Sequence, residues 1–447
     1  MKLLAGPIQK ATAAAASLTG KRFSMLVASS LVATTGVVAV GLSSRSGISP
    51  MAAAAAQALL EEEPALVASA PAPASPETSP ASSPEASSNP GAASSGPLPS
   101  SAPATEPTAP ATEPETPETP PTEPEAPEPG PVQHVFLVSV ASPGYDAAFG
   151  TASQMPYLSG ELSPQGLLLT NYSLLDTAAL PNGIAATSGQ PPNTPTKENC
   201  PTYEEFASAS ANSRGVISGD GCIYPVETLT LADQLVGARL RWHGYFEGMT
   251  DTEGKADNCV HPEPEAAEPP STSGYSSRLN PFVFFHSLLD LGDCDENDVP
   301  LDELAKDLRK PDSTANFSYI SPSLCNAGFR DQCSEGAPTG PAAADAFLAK
   351  VVPEILASPA YKKDGLLIVS FGAADPDPAA PPSDPKKVGA VLVSPLLAPG
   401  GTDAAPYTPY SVLRSIDELF NLQPLAAAGG TKVRSFASAF TAGNGGD

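Results

Sequence analysis

The most informative stretch of the sequence is Thr177-Ala-Ala-Leu-Pro-Asn-Gly-Ile-Ala-Ala-Thr-Ser-Gly-Gln190. It follows an apolar segment, Gly166 to Tyr172, that is typical of a β-strand, and its composition predicts a turn that opens a short helix. The first backbone N–H groups of a helix have no partner within the helix, so they favour an oxyanion or a phosphate. The stretch therefore predicts a strand–turn–helix unit of the kind that carries a nucleophile in α/β enzymes.

Apolar segments on both sides of this stretch alternate between strand-like and helix-like patterns. The predicted strands are Val135 to Val140, Gly166 to Tyr172, Arg241 to Phe246, Phe317 to Ile320, Gly365 to Phe371 and Val388 to Ser394. The predicted helices are Tyr157 to Leu162, Thr228 to Leu240, Val299 to Leu308, Ala342 to Leu356 and Tyr410 to Leu422. This alternation predicts a three-layer α/β/α domain over residues 131–447, with a mainly parallel sheet and its ligand site beyond the carboxyl ends of the strands.

Charge is distributed unevenly along the 447 residues, whose net charge is −26. Residues 1–50 contain five bases and no acid, whereas residues 51–130 contain twelve glutamates and no base. No basic stripe is present that could neutralise phosphates, so the sequence excludes a nucleic-acid-binding role.

The N-terminal part predicts export. An uncharged apolar run of 20 residues, Phe23 to Leu42, follows the basic segment 1–22. It is long enough to span a bilayer as an uncleaved anchor with a cytoplasmic N-terminus, and a cleaved signal peptide is the alternative. Residues 43–130 are rich in Pro, Ala, Ser, Thr and Glu, which predicts a disordered linker. Either alternative places residues 131–447 outside the cytoplasm, and the anchor would make the membrane a partner.

The six cysteines all lie in the segment predicted to fold: Cys200, Cys222, Cys259, Cys294, Cys325 and Cys333. An even number of cysteines after an export signal predicts disulfides. Fifteen connectivities are possible, and pairing of nearest neighbours along the chain is our prediction. A zinc site is the alternative, although the sequence contains no Cys-x-x-Cys motif.

Three blocks of sequence together resemble one known family. They are Leu180-Pro-Asn182 with Thr187-Ser-Gly-Gln-Pro-Pro192, Asn280-Pro-Phe-Val-Phe-Phe-His286, and Tyr410-Ser-Val-Leu-Arg-Ser-Ile-Asp-Glu-Leu-Phe420. The chain from His134 to about Leu422 is similar to the bacterial secreted phosphoesterases, a family of acid phosphatases and phospholipase-C-like enzymes in the alkaline-phosphatase-like superfamily. The resemblance implies an alkaline-phosphatase-like fold and hydrolysis of phosphate esters by a serine nucleophile and a divalent cation.

The residues that carry this chemistry in the family are replaced here. As the resemblance implies, the nucleophilic serine falls on Ala179, a Glu-Asn metal-binding pair on Ala141-Ser142, and an Asp-Glu pair on Gly372-Ala373. Polar positions of the family likewise fall on Leu279, Ala327, Phe329 and Pro409. Methyl groups and glycine offer no oxygen donor to a hard cation, and alanine cannot form a phospho-enzyme. The sequence thus predicts no cofactor and a catalytically inactive binding or scaffold module.

Two alternatives remain open at this point. An active phosphomonoesterase could use Thr177 as a displaced nucleophile, with Asp375 and Asp377 holding a divalent metal. A structural protein that spans the cell wall would need only a stable globular head. Polar family positions that survive are interpreted as a residual pocket: Asn182, His261, Asn280 and His286. The sequence does not identify a ligand or an envelope partner.

Overall fold

A computed structural model describes residues 131–441. The predicted basic segment 1–22, the apolar segment 23–42 and the linker 43–130 lie outside the described residues, as do residues 442–447. Among residues 131–441, no helix is long and apolar enough to cross a membrane.

The described strands begin and end as follows: β1 His134–Ser142, β2 Leu167–Leu169, β3 Ser210–Ala211, β4 Ile217–Ser218, β5 Trp242–Phe246, β6 Asp298–Pro300, β7 Phe317–Ser321, β8 Gly365–Ala374, β9 Ala390–Val393 and β10 Gly401–Asp403. Eight of them form one sheet in the order β10-β2-β9-β8-β1-β7-β5-β6, while β3 and β4 form a separate hairpin. Only the pairs that β9 makes with β2 and β8 are antiparallel in the large sheet. The predicted mainly parallel α/β architecture is confirmed.

The α-helices in the described part of the chain are α1 Tyr145–Phe149, α2 Ala179–Ser188, α3 Thr194–Lys197, α4 Leu231–Gly237, α5 His286–Leu289, α6 Asp293–Asn297, α7 Leu304–Asp307, α8 Leu324–Ala327, α9 Pro341–Ala357, α10 Pro359–Asp364, α11 Pro409–Leu419 and α12 Ser438–Thr441. Residues Tyr157–Leu162 form a turn of π-helix. Helices α8, α9 and α10 pack against β1, whereas α2 packs against β8 and α11. Helices therefore cover the central strands, which explains why β1 and β8 are apolar along nearly their whole length.

The predicted helix Val299 to Leu308 is partly wrong. Asp298–Pro300 is instead a short edge strand, β6, that pairs with the last residues of β5. Pro300 lacks a backbone N–H and suits the edge of a sheet better than the interior of a helix. The helical part is limited to a short 3₁₀ turn, Leu301–Glu303, followed by α7.

Several other predicted elements are shorter than the sequence pattern suggested, and two of them illustrate the cause. The helix expected over Thr228 to Leu240 is limited to α4. The hydroxyl of Thr230 accepts the N–H of Asp233, and the carboxylate of Asp233 accepts the N–H of Thr230. This capping box fixes the first turn at Leu231. The strand expected over Gly166 to Tyr172 is regular only in β2.

All six cysteines form disulfides with their nearest neighbours along the chain: Cys200–Cys222, Cys259–Cys294 and Cys325–Cys333. The Cα–Cα distances are 5.9, 5.4 and 4.7 Å, respectively. No cysteine of the described residues is free, so none is available to bind zinc. The predicted pairing is confirmed.

Candidate functional site

The two central strands carry the family's metal-binding positions to one edge of the sheet. Ala141 and Ser142 are the last residues of β1, and Gly372 and Ala373 lie near the carboxyl end of β8. A bulge after Val140 shifts the register, so that Ala141 pairs with Ala373. The sequence predicted these positions in loops after the strands, whereas both strands continue through them.

Helix α2 brings the predicted nucleophile position to the same edge. It begins at Ala179, after an extended Ala178, and it ends at Gly189, whose φ of 73° is left-handed. A Cβ at position 189 would lie 2.5 Å from the carbonyl oxygen of Leu425, so only glycine fits this helix end. The sequence prediction of a turn that opens a short helix is confirmed.

A small apolar cluster fills the point where β1, β8 and α2 meet. Its buried members are Ala141, Ala179 and Ala373, and the side chains of Leu279 and Phe329 pack against them. The space left beside the cluster is about 10 Å³, enough for about one water molecule. The rest of the space is lined by the hydroxyls of Ser139, Tyr319 and Ser321 and by Arg278, and no carboxylate of the described residues lines it. It is therefore chemically unsuited to a hydrated divalent cation.

The start of α2 is occupied by a side chain that the sequence analysis missed. The Oδ1 atom of Asn199 accepts the backbone N–H groups of Ala179 and Leu180, each at 3.0 Å. Asn199 has a φ of 57°, a left-handed conformation that asparagine tolerates better than most residues. The N–H groups expected to face a phosphate are therefore satisfied within the chain.

Arg278 is the charged side chain beside the apolar cluster, and the sequence analysis did not identify it either. Its guanidinium lies 4.8 Å from the centre of the Phe329 ring. Burial lowers the pKa of Arg278, whereas the nearby carboxylates of Glu268 and Asp375 raise it. Its Nε atom is buried without a hydrogen-bond partner among the described residues. A fixed positive charge at this place disfavours a metal cation.

The displaced metal ligands considered from the sequence both accept backbone N–H groups. Asp375 accepts the N–H of Arg330 at 2.9 Å, and Asp377 accepts the N–H of Ala379 at 2.8 Å. No group of three or more His, Cys, Asp or Glu side chains within residues 131–441 is arranged to hold a metal ion. Thr177 is exposed, and its carbonyl oxygen accepts the N–H of Ala374 at 2.9 Å.

Asn182 ties α2 to the loop that precedes it and to β8. Its Oδ1 accepts the N–H of Leu175 at 2.9 Å, while its Nδ2 donates to the carbonyl oxygens of Ala178 at 2.7 Å and Gly372 at 3.0 Å. The side chain is fully buried. These bonds give Asn182 a structural role next to the apolar cluster.

Asn280 belongs to a buried polar group that includes Asp298 of the edge strand β6. Its Nδ2 donates to a carboxylate oxygen of Asp298 at 2.7 Å and to the hydroxyl of Tyr275 at 3.0 Å. Burial raises the pKa of Asp298 well above its ordinary value, and the bond from Asn280 only partly offsets this. Asn280 and Asp298 thus pair with each other inside the protein, which gives Asn280 a structural role.

The two surviving histidines have separate neighbours. His286 lies 3.0 Å from the carboxylates of both Glu205 and Asp290. His261 stacks on Tyr203 with the ring centres 5.4 Å apart. The four residues predicted as a residual pocket, Asn182, His261, Asn280 and His286, thus take part in different contacts instead of lining one cavity.

Comparison with known proteins identifies the family. The model of the Phosphoesterase family matches residues 134–423, which is more than half of the chain, and the chain therefore belongs to this family. No curated protein matches the chain. Family membership and the mainly parallel sheet agree with the fold class predicted from the sequence.

Several solved structures are similar to the chain. A protein of the alkaline phosphatase superfamily from Vibrio parahaemolyticus is 14% identical, with a TM-score of 0.41 over 69% of this chain and 71% of that protein. The lipoteichoic acid synthase from Listeria monocytogenes is 11% identical, with a TM-score of 0.40 over 68% and 75%. The phosphonate monoester hydrolase from Silicibacter pomeroyi is 12% identical, with a TM-score of 0.38 over 69% and 77%. Similarities this low carry no argument about activity.

Proposed function

We propose that this member of the Phosphoesterase family does not hydrolyse phosphate esters and acts as a binding or scaffold module of the cell envelope. The observation that carries the proposal is the apolar cluster of Ala141, Ala179 and Ala373, closed by Leu279 and Phe329. By resemblance, these are positions where the family needs a nucleophile, metal ligands and polar side chains. Uncatalysed hydrolysis of phosphate monoesters is so slow that enzymes accelerate it by up to about 10²¹-fold, so residual binding alone would give no useful turnover.

Two further contacts support the same conclusion. The Oδ1 of Asn199 accepts hydrogen bonds from the two N–H groups at the start of α2 that a phosphoryl oxygen would need. Asp375, the first of the displaced ligands considered, accepts a backbone N–H and lies in the field of Arg278. These contacts occupy the two N–H groups that open α2 and one carboxylate oxygen of Asp375, which are the groups that phosphate binding or a displaced metal site would use.

The export part of the proposal rests on the paired cysteines and on the sequence that precedes the domain. Three disulfides are typical of a protein that folds in an oxidising compartment. The apolar run Phe23 to Leu42 would deliver the domain there, either as an anchor or as a signal peptide. A reporter that is active only outside the cytoplasm, fused after Asp447, should be active; activity of a cytoplasmic reporter alone would refute export.

The test of the proposed inactivity combines elemental analysis with turnover of an aryl phosphate from about pH 4 to about pH 9, with magnesium, calcium, manganese or zinc added. We expect no stoichiometric metal and no turnover by the purified full-length chain. Bound metal near one equivalent, with activity lost in Asp375→Asn or Asp377→Asn, would favour displaced ligands instead. Activity lost in Thr177→Val would identify a displaced nucleophile.

Restoring the family residues is the sharper probe. The variant carries Ala141→Glu, Ser142→Asn, Ala179→Ser, Gly372→Asp and Ala373→Glu. A Cβ at position 372 would lie 2.4 Å from the Oγ of Ser139, so Ser139→Ala must accompany these changes. The matched control carries Ser139→Ala alone. Metal binding by the restored variant and not by the control would support the assigned positions, and its absence in a folded restored variant would count against them.

A further inference from the structure

A cleft of about 190 Å³ lies in the loops between β5 and the segment that leads to Asn280. Its walls come from the turn at residues 250–254, from residues 260–262 and from residues 268–275. Hydroxyl, carboxylate and proline side chains line it, together with His261 and Tyr275. The volume is below the roughly 300–1,000 Å³ of sites for drug-sized ligands, so it suits a ligand of about one ring.

The charges of the cleft argue against an ionic ligand. No Lys or Arg is among its lining residues, so an anion such as phosphate would find no counter-charge. The carboxylate of Asp251 already accepts the N–H groups of Glu253 at 2.9 Å and Lys255 at 2.8 Å. The second carboxylate in the cleft, Glu268, is also satisfied by hydrogen-bond donors of the chain.

Glu268 accepts hydrogen bonds from the hydroxyl of Ser276, at 2.6 Å, and from the N–H of Ser277. It also lies close enough to Arg278 to raise the pKa of that guanidinium. Since both carboxylates in the cleft have donors of their own, neither requires a cationic ligand. Of the anionic, cationic and neutral classes of ligand, the cleft therefore suits a neutral one best.

His261 is held in one orientation at the cleft. Its Nδ1 lies 2.8 Å from the carbonyl oxygen of Pro262, which can only accept, so in the neutral ring Nδ1 carries the hydrogen. The ring stacks on Tyr203 with an angle of 23° between the planes. Its Nε2 has no partner within residues 131–441 and is an acceptor for a ligand hydroxyl.

The rest of the lining alternates hydroxyl groups with aliphatic surface. The hydroxyls of Thr252 and Thr272 are exposed and have no hydrogen-bond partner in the described part of the chain. Pro262, Pro269 and Pro270 add C–H surface beside them. A sugar ring has this same combination, with hydroxyls around its edge and C–H groups on its faces.

We propose that this cleft binds one neutral sugar residue, either free or at the end of a glycan. The proposal rests on the proposed role as a binding module and names the class of ligand for it. The Nε2 of His261 accepts one hydroxyl, Thr252 and Thr272 exchange hydrogen bonds with others, and the prolines contact a C–H face. Disulfide Cys259–Cys294 fixes the segment that carries His261.

The experiment titrates the purified full-length chain with glucose, mannose, arabinose and N-acetylglucosamine, followed by saturation-transfer NMR and calorimetry. Choline and inorganic phosphate are titrated as cationic and anionic contrasts. We expect saturable binding of at least one sugar and of neither ion. Binding of choline or phosphate in preference to every sugar, or no binding of any sugar, overturns the proposal.

Variants then locate the binding. His261→Phe keeps a ring on Tyr203 and removes Nε2, and Thr272→Val removes one hydroxyl at constant shape. Each should weaken sugar binding about tenfold, the effect of one lost hydrogen bond in a polar site. The matched control is Thr402→Val on exposed β10, which should bind as the unaltered chain does. If His261→Phe fails to fold, the exposed Thr272→Val still decides the matter, and unchanged affinity in it overturns the proposal.

Failure of this proposal can be told apart from failure of the proposed function. Turnover of an aryl phosphate would refute the inactive binding module, whatever the sugar results. Absence of both turnover and sugar binding would refute the sugar site alone.

Discussion

The alanine cluster at the ends of β1 and β8 and the hydroxyl-lined cleft of residues 250–275 are opposite kinds of surface in one domain. The cluster is buried and closed by Leu279 and Phe329, with space for about one water molecule. The cleft is open and lined largely by hydroxyls, prolines and carboxylates that have their own donors. Under the proposed function, the apolar cluster occupies the positions that the resemblance assigns to catalysis, and the polar cleft is the surface that binds a ligand.

The largest expected effect comes from placing the same charge in both regions. Ala373→Asp would bury a carboxylate among the methyl groups of the cluster and should lower the free energy of unfolding by about 3 kcal/mol or more. Thr272→Asp, in the exposed wall of the cleft, should change it by no more than about 0.5 kcal/mol. Urea unfolding of both variants measures the difference. Stabilisation of Ala373→Asp by a divalent cation would mean that the cluster is still a metal site, whereas a mild effect without a cation would mean that Arg278 compensates the new charge.

The next largest effect is expected from removing one disulfide in each region. Cys259–Cys294 holds the cleft and has a sequence separation of 35, whereas Cys325–Cys333 flanks Phe329 of the cluster with a separation of 8. The loop-entropy model gives about 4 kcal/mol for the first bond and about 2.5 kcal/mol for the second. Paired Cys→Ala variants should show this order in their melting temperatures. The reverse order would show that native packing around the cluster outweighs loop closure.

A smaller effect is expected from the side chain that occupies the start of α2. Asn199→Gly keeps the left-handed backbone and removes the acceptor for the N–H groups of Ala179 and Leu180, at a cost of about 1 kcal/mol. Asn199→Asp keeps an acceptor and should unfold close to the unaltered chain. Thermal unfolding with and without inorganic phosphate measures both. Stabilisation of Asn199→Gly by phosphate would reveal a latent anion site that the alanine cluster does not close.

The smallest effect on stability is expected at His286, which lies in neither region. It is a control because its side chain forms ion pairs at the surface. Burial lowers its pKa, but hydrogen bonds and charges from Asp290 and Glu205 outweigh this and raise the pKa above 6.5. The stability it contributes is therefore fully present below about pH 6.5 and is lost as the pH rises through the folded-state pKa.

His286→Gln should flatten the dependence of stability on pH between about pH 6 and about pH 8. The change is expected to be slight, because the carboxylates of Glu205 and Asp290 are about half exposed and solvent screens the pairs. Urea unfolding at several pH values measures it. An unchanged pH profile would contradict the raised pKa.

Prediction from sequence succeeded where a local pattern determined the structure. The apolar runs Val135 to Val140 and Gly365 to Phe371 predicted the two central strands, and both strands are longer than predicted because β-pairing continues past the apolar run. Prediction failed at Val299 to Leu308, where pairing with β5 and the chemistry of Pro300 overrode a helical spacing.

Prediction also failed for residues that act across long stretches of chain. Nothing near Asn199 indicates that it would accept the N–H groups of Ala179 and Leu180, although the adjacent Cys200 predicted that this loop would be fixed by a disulfide. Arg278 likewise meets Phe329 only through the fold. Such contacts depend on chain segments brought together by tertiary packing, and no periodicity in the sequence records them.

The sequence by itself determined which chemistry each position can offer. Alanine at 141, 179 and 373 and glycine at 372 provide no nucleophile and no side-chain oxygen ligand in any fold, because that property belongs to the side chain alone. Only the tertiary structure decided that three of these positions pack together, that Leu279 and Phe329 close the space between them, and that the N–H groups of α2 are occupied by Asn199. Burial and hydrogen bonding arise from the juxtaposition of distant segments, and here they exist because β1, β8 and α2 meet at one edge of the sheet.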